Sequence, residues 1–92
     1  MGDVTVVAID PGRYGVEIRE SAVSTVHRVT VPSELLDDLG VLDIDEERVV
    51  RESIEFLLER EPPTAIMKEF SLNDIARYFG DYYQELQRRL GA

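Results

Sequence analysis

Hydrophobic and polar positions alternate with period two along the first third of the chain. Asp3–Ile9 is rich in β-branched residues, Tyr14-Gly15-Val16-Glu17-Ile18-Arg19 alternates strictly, and Val26-His27-Arg28-Val29-Thr30-Val31 is again built from β-formers. Three short strands are predicted. Asp10-Pro11-Gly12-Arg13 joins the first two by a turn with proline at its second position and glycine at its third, where the backbone φ is positive. The simplest connection of the three is an antiparallel meander.

From Pro32 the period changes to that of helices. Ser33 caps a short helix over Glu34–Leu39 in which Leu35, Leu36 and Leu39 share a face, and Gly40 closes it. Asp43 or Asp45 caps a longer helix running to about Arg60, with Val50, Ile54, Leu57 and Leu58 on its apolar stripe and Glu47, Arg51 and Glu55 spaced one turn apart outside. Pro62-Pro63 ends it and reads as a corner, after which a short helical turn carries Ile66, Met67 and Phe70. Ser71-Leu72-Asn73-Asp74 has the form of a capping box and opens a helix over Ile75, Tyr78 and Phe79 that Gly80 stops. Asp81 caps the last helix, with Tyr83, Leu86 and Leu90 on its inner face and Arg88 and Arg89 in its final turn. The expected fold is a single α+β domain over residues 1–92: a three-stranded antiparallel meander in residues 1–31, then four or five helices in residues 32–92 packed on one of its faces.

Composition narrows the chemistry. The chain has 92 residues, 10 Lys and Arg against 19 Asp and Glu, one histidine and no cysteine. Disulfides, thiol nucleophiles and zinc sites of the Cys/His type are excluded by inventory. The formal charge of −9 is local: residues 32–61 hold eleven acids and three arginines, whereas residues 62–92 are balanced. Such a field repels phosphate backbones and acidic lipid surfaces, so nucleic acid and membranes are disfavoured partners. The apolar run Val6–Ile9 stops at Asp10, far short of a membrane span, and a cytoplasmic location is expected. His27 lacks a second ligand of its kind, Asp43-Ile44-Asp45-Glu46-Glu47 lacks the glycine and spacing of a calcium loop, and Ser53 and Ser71 lack a general base. The expectation is a protein with no enzymatic activity and no cofactor.

Three stretches resemble known families. Val7-Ala8-Ile9-Asp10-Pro11-Gly12, followed by Gly15, resembles the first strand of ribonuclease-H-like resolvases, in which an aspartate at the strand end binds catalytic metal. That chemistry requires several convergent carboxylates and a fourth strand parallel to the first, and residues 41–92 read as helices only. Arg28–Leu39 followed by Glu47–Leu58 resembles the ribbon-helix-helix module of small repressors and antitoxins. This resemblance implies a strand paired with its dimer mate, with Arg28 and Thr30 reading the major groove. Acids occupy the inter-helix loop where phosphate-binding groups are needed, and two further strands precede the ribbon. Residues 56–79, with the pattern LLEREPP…I…F.L..I..YF, are similar to the C-terminal half of a family of small prokaryotic proteins of unknown function, which implies no activity and no catalytic residues.

Five of the seven aromatic residues fall between Phe70 and Tyr83. Phe70, Tyr78, Tyr82 and Tyr83, with Arg77 among them, have the composition of a protein-binding hot spot. The alternative is a satellite core sealed by tyrosines with their hydroxyls in water. The functional expectation is therefore a protein-interaction module or accessory subunit, binding a protein partner or a second copy of itself, with a DNA-binding regulator or antitoxin as the alternative.

Overall fold

The computed structural model describes residues 3–39 and 46–91. Strands β1 (Asp3–Asp10), β2 (Arg13–Glu20) and β3 (Val23–Thr30) form the expected antiparallel meander. Gly12 at φ 76° supplies the positive dihedral of the first turn, and its carbonyl accepts the Val31 N–H at 2.7 Å. A Cβ there would stand 3.3 Å from the Val31 carbonyl oxygen, so the turn and the exit of β3 fit together only around a glycine.

Helices α1 (Ser33–Leu39) and α2 (Glu46–Leu58) follow, then a single 3₁₀ turn at Pro63–Ala65. Val50, Ile54 and Leu57 of α2 are buried as their spacing requires, and Leu58 lies half-buried at the margin. The stop expected at Gly40, the caps expected from Asp43 or Asp45 and the side chain of Leu39 lie outside the described residues.

The chain departs from the sequence expectation beyond the proline corner. Instead of continuing the helical turn to Phe70, it extends into a fourth strand, β4 (Glu69–Ser71), which pairs in parallel with β3 and completes a sheet of order β1-β2-β3-β4. A three-residue strand carries too little alternation to read, and its extended backbone is imposed by β3. Its partners on β3 are Arg28, Val29 and Thr30, opposite Glu69, Phe70 and Ser71 respectively. Helices α3 (Leu72–Tyr78) and α4 (Tyr82–Arg89) complete the fold, so the described residues form four strands and four α-helices rather than three strands and four or five helices. The Ser71–Asp74 capping box is formed, with the Ser71 N–H donating to Asp74 Oδ2 at 3.1 Å.

The inner face of the sheet presents Val6, Val16, Ile18, His27, Val29 and Phe70 to the helices, while Val7, Val26 and Arg28 on the opposite face are exposed. Helical cover on one face is thus as expected. On α4 the buried residues are Tyr82 and Leu86, followed by Leu90 just past its end, so Tyr82 takes the inward place expected of Tyr83. The exchange follows from the Tyr82 hydroxyl, which lies 2.7 Å from Ser53 Oγ inside the core. Since Ser53 gives its single proton to the Val49 carbonyl, Tyr82 is the donor of that bond. No helix among the described residues is long and apolar enough to cross a membrane.

His27 ties β4 to the meander. Its Nδ1–H donates to the Met67 carbonyl at 2.7 Å, and in the neutral ring Nε2 accepts from Thr25 Oγ1 at 2.9 Å. The Arg28 N–H donates to the Lys68 carbonyl at 2.7 Å immediately beyond. Replacing His27 by alanine removes the donor to the Met67 carbonyl and leaves a void where the buried ring stood, a loss of about 2–4 kcal/mol. Urea unfolding is expected to show that loss, and native-state exchange is expected to show the Arg28 amide losing protection ahead of the β2–β3 amides.

Candidate functional site

Two concavities formed by the described residues have linings that differ in kind. The first is an apolar cleft of about 510 Å³ between the proline corner and α3. Buried Leu57, Ile66, Phe70 and Ile75 form its floor, Met67 and Tyr78 are its exposed large side chains, and Glu61 adds one carboxylate. This volume lies within the range of about 300–1,000 Å³ typical of ligand clefts, and an apolar lining with a single polar group is what such clefts show. Its shape depends on the fold step the sequence hides. Because β4 returns to β3, the Met67 carbonyl is turned inward to His27, whereas the Met67 side chain stays 44% exposed.

The expected aromatic patch is divided by this geometry. Tyr78, 69% exposed, and Arg77 lie on the surface. Phe70 sits in the cleft floor, and Tyr82 is wholly buried, its ring edge-on to Phe56 at 5.4 Å, so it presents nothing to a partner. Burial also pushes the Tyr82 hydroxyl above the usual phenol range. Tyr83 is half-buried against Tyr82. The residues that sequence reasoning omitted from the site are Leu57, Glu61, Ile66, Met67, Ile75 and Phe79; the local sequence marks most of them only as core, and the cleft forms where their elements meet.

Arg28 and Thr30 occupy exposed positions on an interior strand. β3 pairs with β2 along its whole length and with β4 at Arg28–Thr30, so at Arg28 and Thr30 it offers no free edge to a dimer mate of the ribbon-helix-helix kind. Asp10 begins the first turn and lies 3.6 Å from Arg13, and the fourth strand pairs with β3 and not with β1. Among the described residues no group of three or more His, Cys, Asp or Glu side chains is arranged to hold a metal ion.

The second concavity is polar. It lies between β1, β2 and α2, where Asp3, Glu17 and Glu55 are interspersed with Arg19 and Arg51. Here Arg51 donates to the Val4 carbonyl at 2.7 Å while keeping its ion pair with Glu47 at 3.7 Å. Desolvation, then the hydrogen bond and negative charge of Glu52, push Glu55 above the usual carboxylate range, against the opposing pull of Arg51 and Arg89. Of these carboxylates, Glu17 pairs with Arg19 at 3.6 Å.

Two expected outcomes follow from these placements. Ser53→Ala strands the buried Tyr82 hydroxyl and is expected to cost about 1–3 kcal/mol, more than Tyr82→Phe, which leaves Ser53 still bonded to Val49. Equilibrium unfolding of both variants checks the order. A carboxyl whose folded pKa is raised favours the fold when protonated and loses that contribution as pH rises through the folded value. Glu55→Gln is therefore expected to stabilise the protein by about 0.2–0.5 kcal/mol at pH 7, the scale of a like-charge pair one turn apart, with the gain vanishing below pH ~4. Urea titrations at the two pH values test the sign. Comparisons of the chain with family models, with curated proteins and with solved structures give no match.

Proposed function

We propose that this protein is a non-catalytic binding module whose cleft between the proline corner and α3 takes an apolar segment of a partner protein flanked by basic residues. The observation that carries the reading is the coexistence of a preformed apolar floor, Leu57, Ile66, Phe70 and Ile75, with two exposed large side chains, Met67 and Tyr78. Methionine adapts to irregular apolar partners, and tyrosine adds contact area at small entropic cost. A floor held by the sheet through Phe70 and by α2 through Leu57 needs no rearrangement to bind, which limits the ordering penalty of association.

Charge supports the basic flank. Glu61 lines the cleft, and the segment ending there, residues 32–61, carries nearly all of the net charge of −9. Arg60 next to it is turned away: its guanidinium stacks 3.7 Å from the centre of the Phe56 ring and pairs with Asp81 at 2.9 Å. The cleft therefore offers an uncompensated carboxylate to an incoming Lys or Arg, which raises association rates and fixes register more than it adds affinity.

Selection of random displayed peptides on the protein is expected to enrich sequences with two apolar anchors beside a Lys or Arg. Met67→Asp combined with Tyr78→Ala, both at exposed positions, is expected to weaken the selected peptides at least tenfold, about 1.4 kcal/mol, with an unchanged circular dichroism spectrum. Glu61→Lys is expected to shift the enriched flank from basic to acidic. Failure to enrich any consensus, or undiminished binding to the double variant, overturns the proposal.

A further inference from the structure

The two edges of the sheet are finished differently. β4 is three residues long, covers β3 only at Arg28–Thr30, and has the outward N–H of Ser71 taken by Asp74, so that edge is short and partly blocked. β1 is eight residues long, Asp-Val-Thr-Val-Val-Ala-Ile-Asp, with no lysine or proline in it. In an antiparallel pair the residues of an edge strand point both backbone groups alternately toward and away from their neighbour. Arg51 reaches the Val4 carbonyl from outside the sheet, which fixes Val4, and hence Val6 and Ala8, as the residues whose N–H and C=O face outward. Among the described residues no hydrogen bond is made to the outward groups of Val6 or Ala8.

This free stretch is bounded on both sides. Arg51 occupies the edge at Val4, and a bulge between Ala8 and Asp10 breaks the register beyond. Between them remain two donors and two acceptors, with Val7, 58% exposed, pointing to the open face of the sheet in the middle.

We infer that β1 is a self-pairing edge, through which a second copy of this chain adds antiparallel about a two-fold axis at Val7. In that register Val6 of each copy lies opposite Ala8 of the other, and each such pair exchanges both of its hydrogen bonds, so all four outward groups in the stretch are satisfied on each copy. Val7 faces Val7 across the axis as a close non-hydrogen-bonded pair, and Thr5 lies opposite Ile9, whose side chain is 49% exposed in the single chain. Asp10 falls opposite Val4 and Asp3 beyond the end of the strand, so no two like charges stand directly opposite. Arg51 keeps its bond to Val4. The register centred one residue earlier, on Val6, requires the Val4 carbonyl and therefore displaces Arg51. A strand from an unrelated protein has no reason to match these two boundaries, whereas a second copy matches them by symmetry. The pairing leaves the cleft untouched, since Phe70 and the proline corner belong to the opposite edge of the sheet.

The test uses sedimentation equilibrium of the full chain up to about 1 mM, in low and high salt, since the net charge of −9 opposes association at low ionic strength. The wild type is expected to approach twice the monomer mass at the highest concentrations. Val7→Lys and Val7→Glu, each placing like charges face to face on the axis at an exposed position, are expected to remain monomeric with unchanged circular dichroism. An equimolar mixture of the two is expected to regain the double mass, because residue 7 meets residue 7. A wild type that stays monomeric at all concentrations overturns the proposal. So does a dimer that survives in either single variant, or a mixture that does not reassociate.

Discussion

Everything downstream of the proline corner depends on the return of Met67–Ser71 to β3. That return is a parallel pairing closed over a long crossover, from Val31 through α1 and α2, and only three residues of β4 share in it. Three strand residues alone are a weak anchor for such a loop. His27 strengthens it by presenting the donor of a buried ring to the Met67 carbonyl just ahead of the strand. The same step seats Phe70 in the cleft floor beside Leu57 and Ile75, starts α3 through its capping box, covers β3 at Arg28–Thr30, and raises one side of the cleft. Fold and candidate site therefore share a single point of dependence.

The acidity of the chain is accommodated by arginines placed where they do more than one thing. Arg51 joins Glu47 to the Val4 carbonyl, so α2 is tied to the free edge of the sheet. Arg60 stacks on Phe56 and bonds Asp81, which holds the start of α4 in place of the usual side-chain cap. Arg89 pairs with Glu59 at 2.6 Å and lies 3.5 Å from Glu85, whose carboxyl the Arg88 hydrogen bond holds below its usual range. Exposed pairs of this kind contribute little singly. Their effect here is positional, since the bonds of Arg60 and Arg89 join α2 and the turn after it to α4, and the carboxylate of Glu61 is left unmatched at the cleft.

The sheet separates two surfaces with different physical character. At its β4 edge the helices and the corner enclose an apolar hollow, suited to side chains inserted from a partner. At its β1 edge the chain offers backbone groups, suited to another strand. Neither surface borrows residues from the other. The two surfaces lie at opposite edges of one sheet.

The sequence by itself determined the meander, the glycine turn, the buried stripe of α2, the capping box at Ser71 and the absence of thiol chemistry. Each of these is local, written in a period of two or 3.6, in a dihedral that glycine takes readily, or in the residue inventory. Only the tertiary structure decided the rest. β4 is strand because β3 has an edge to pair, not because Glu69-Phe70-Ser71 prefers that conformation. Tyr82 rather than Tyr83 faces inward because Ser53 offers a partner to its hydroxyl, a choice that two adjacent tyrosines do not encode locally. Glu17, Arg19 and Glu20, charges that could have blunted an edge, stand on the central strand β2, and the open edge falls to β1 instead. Of the expected interaction residues, Tyr78 and Arg77 reached the surface while Phe70 and Tyr82 went into the interior. Exposure is a property of what packs against a residue, and those neighbours come from segments distant along the chain.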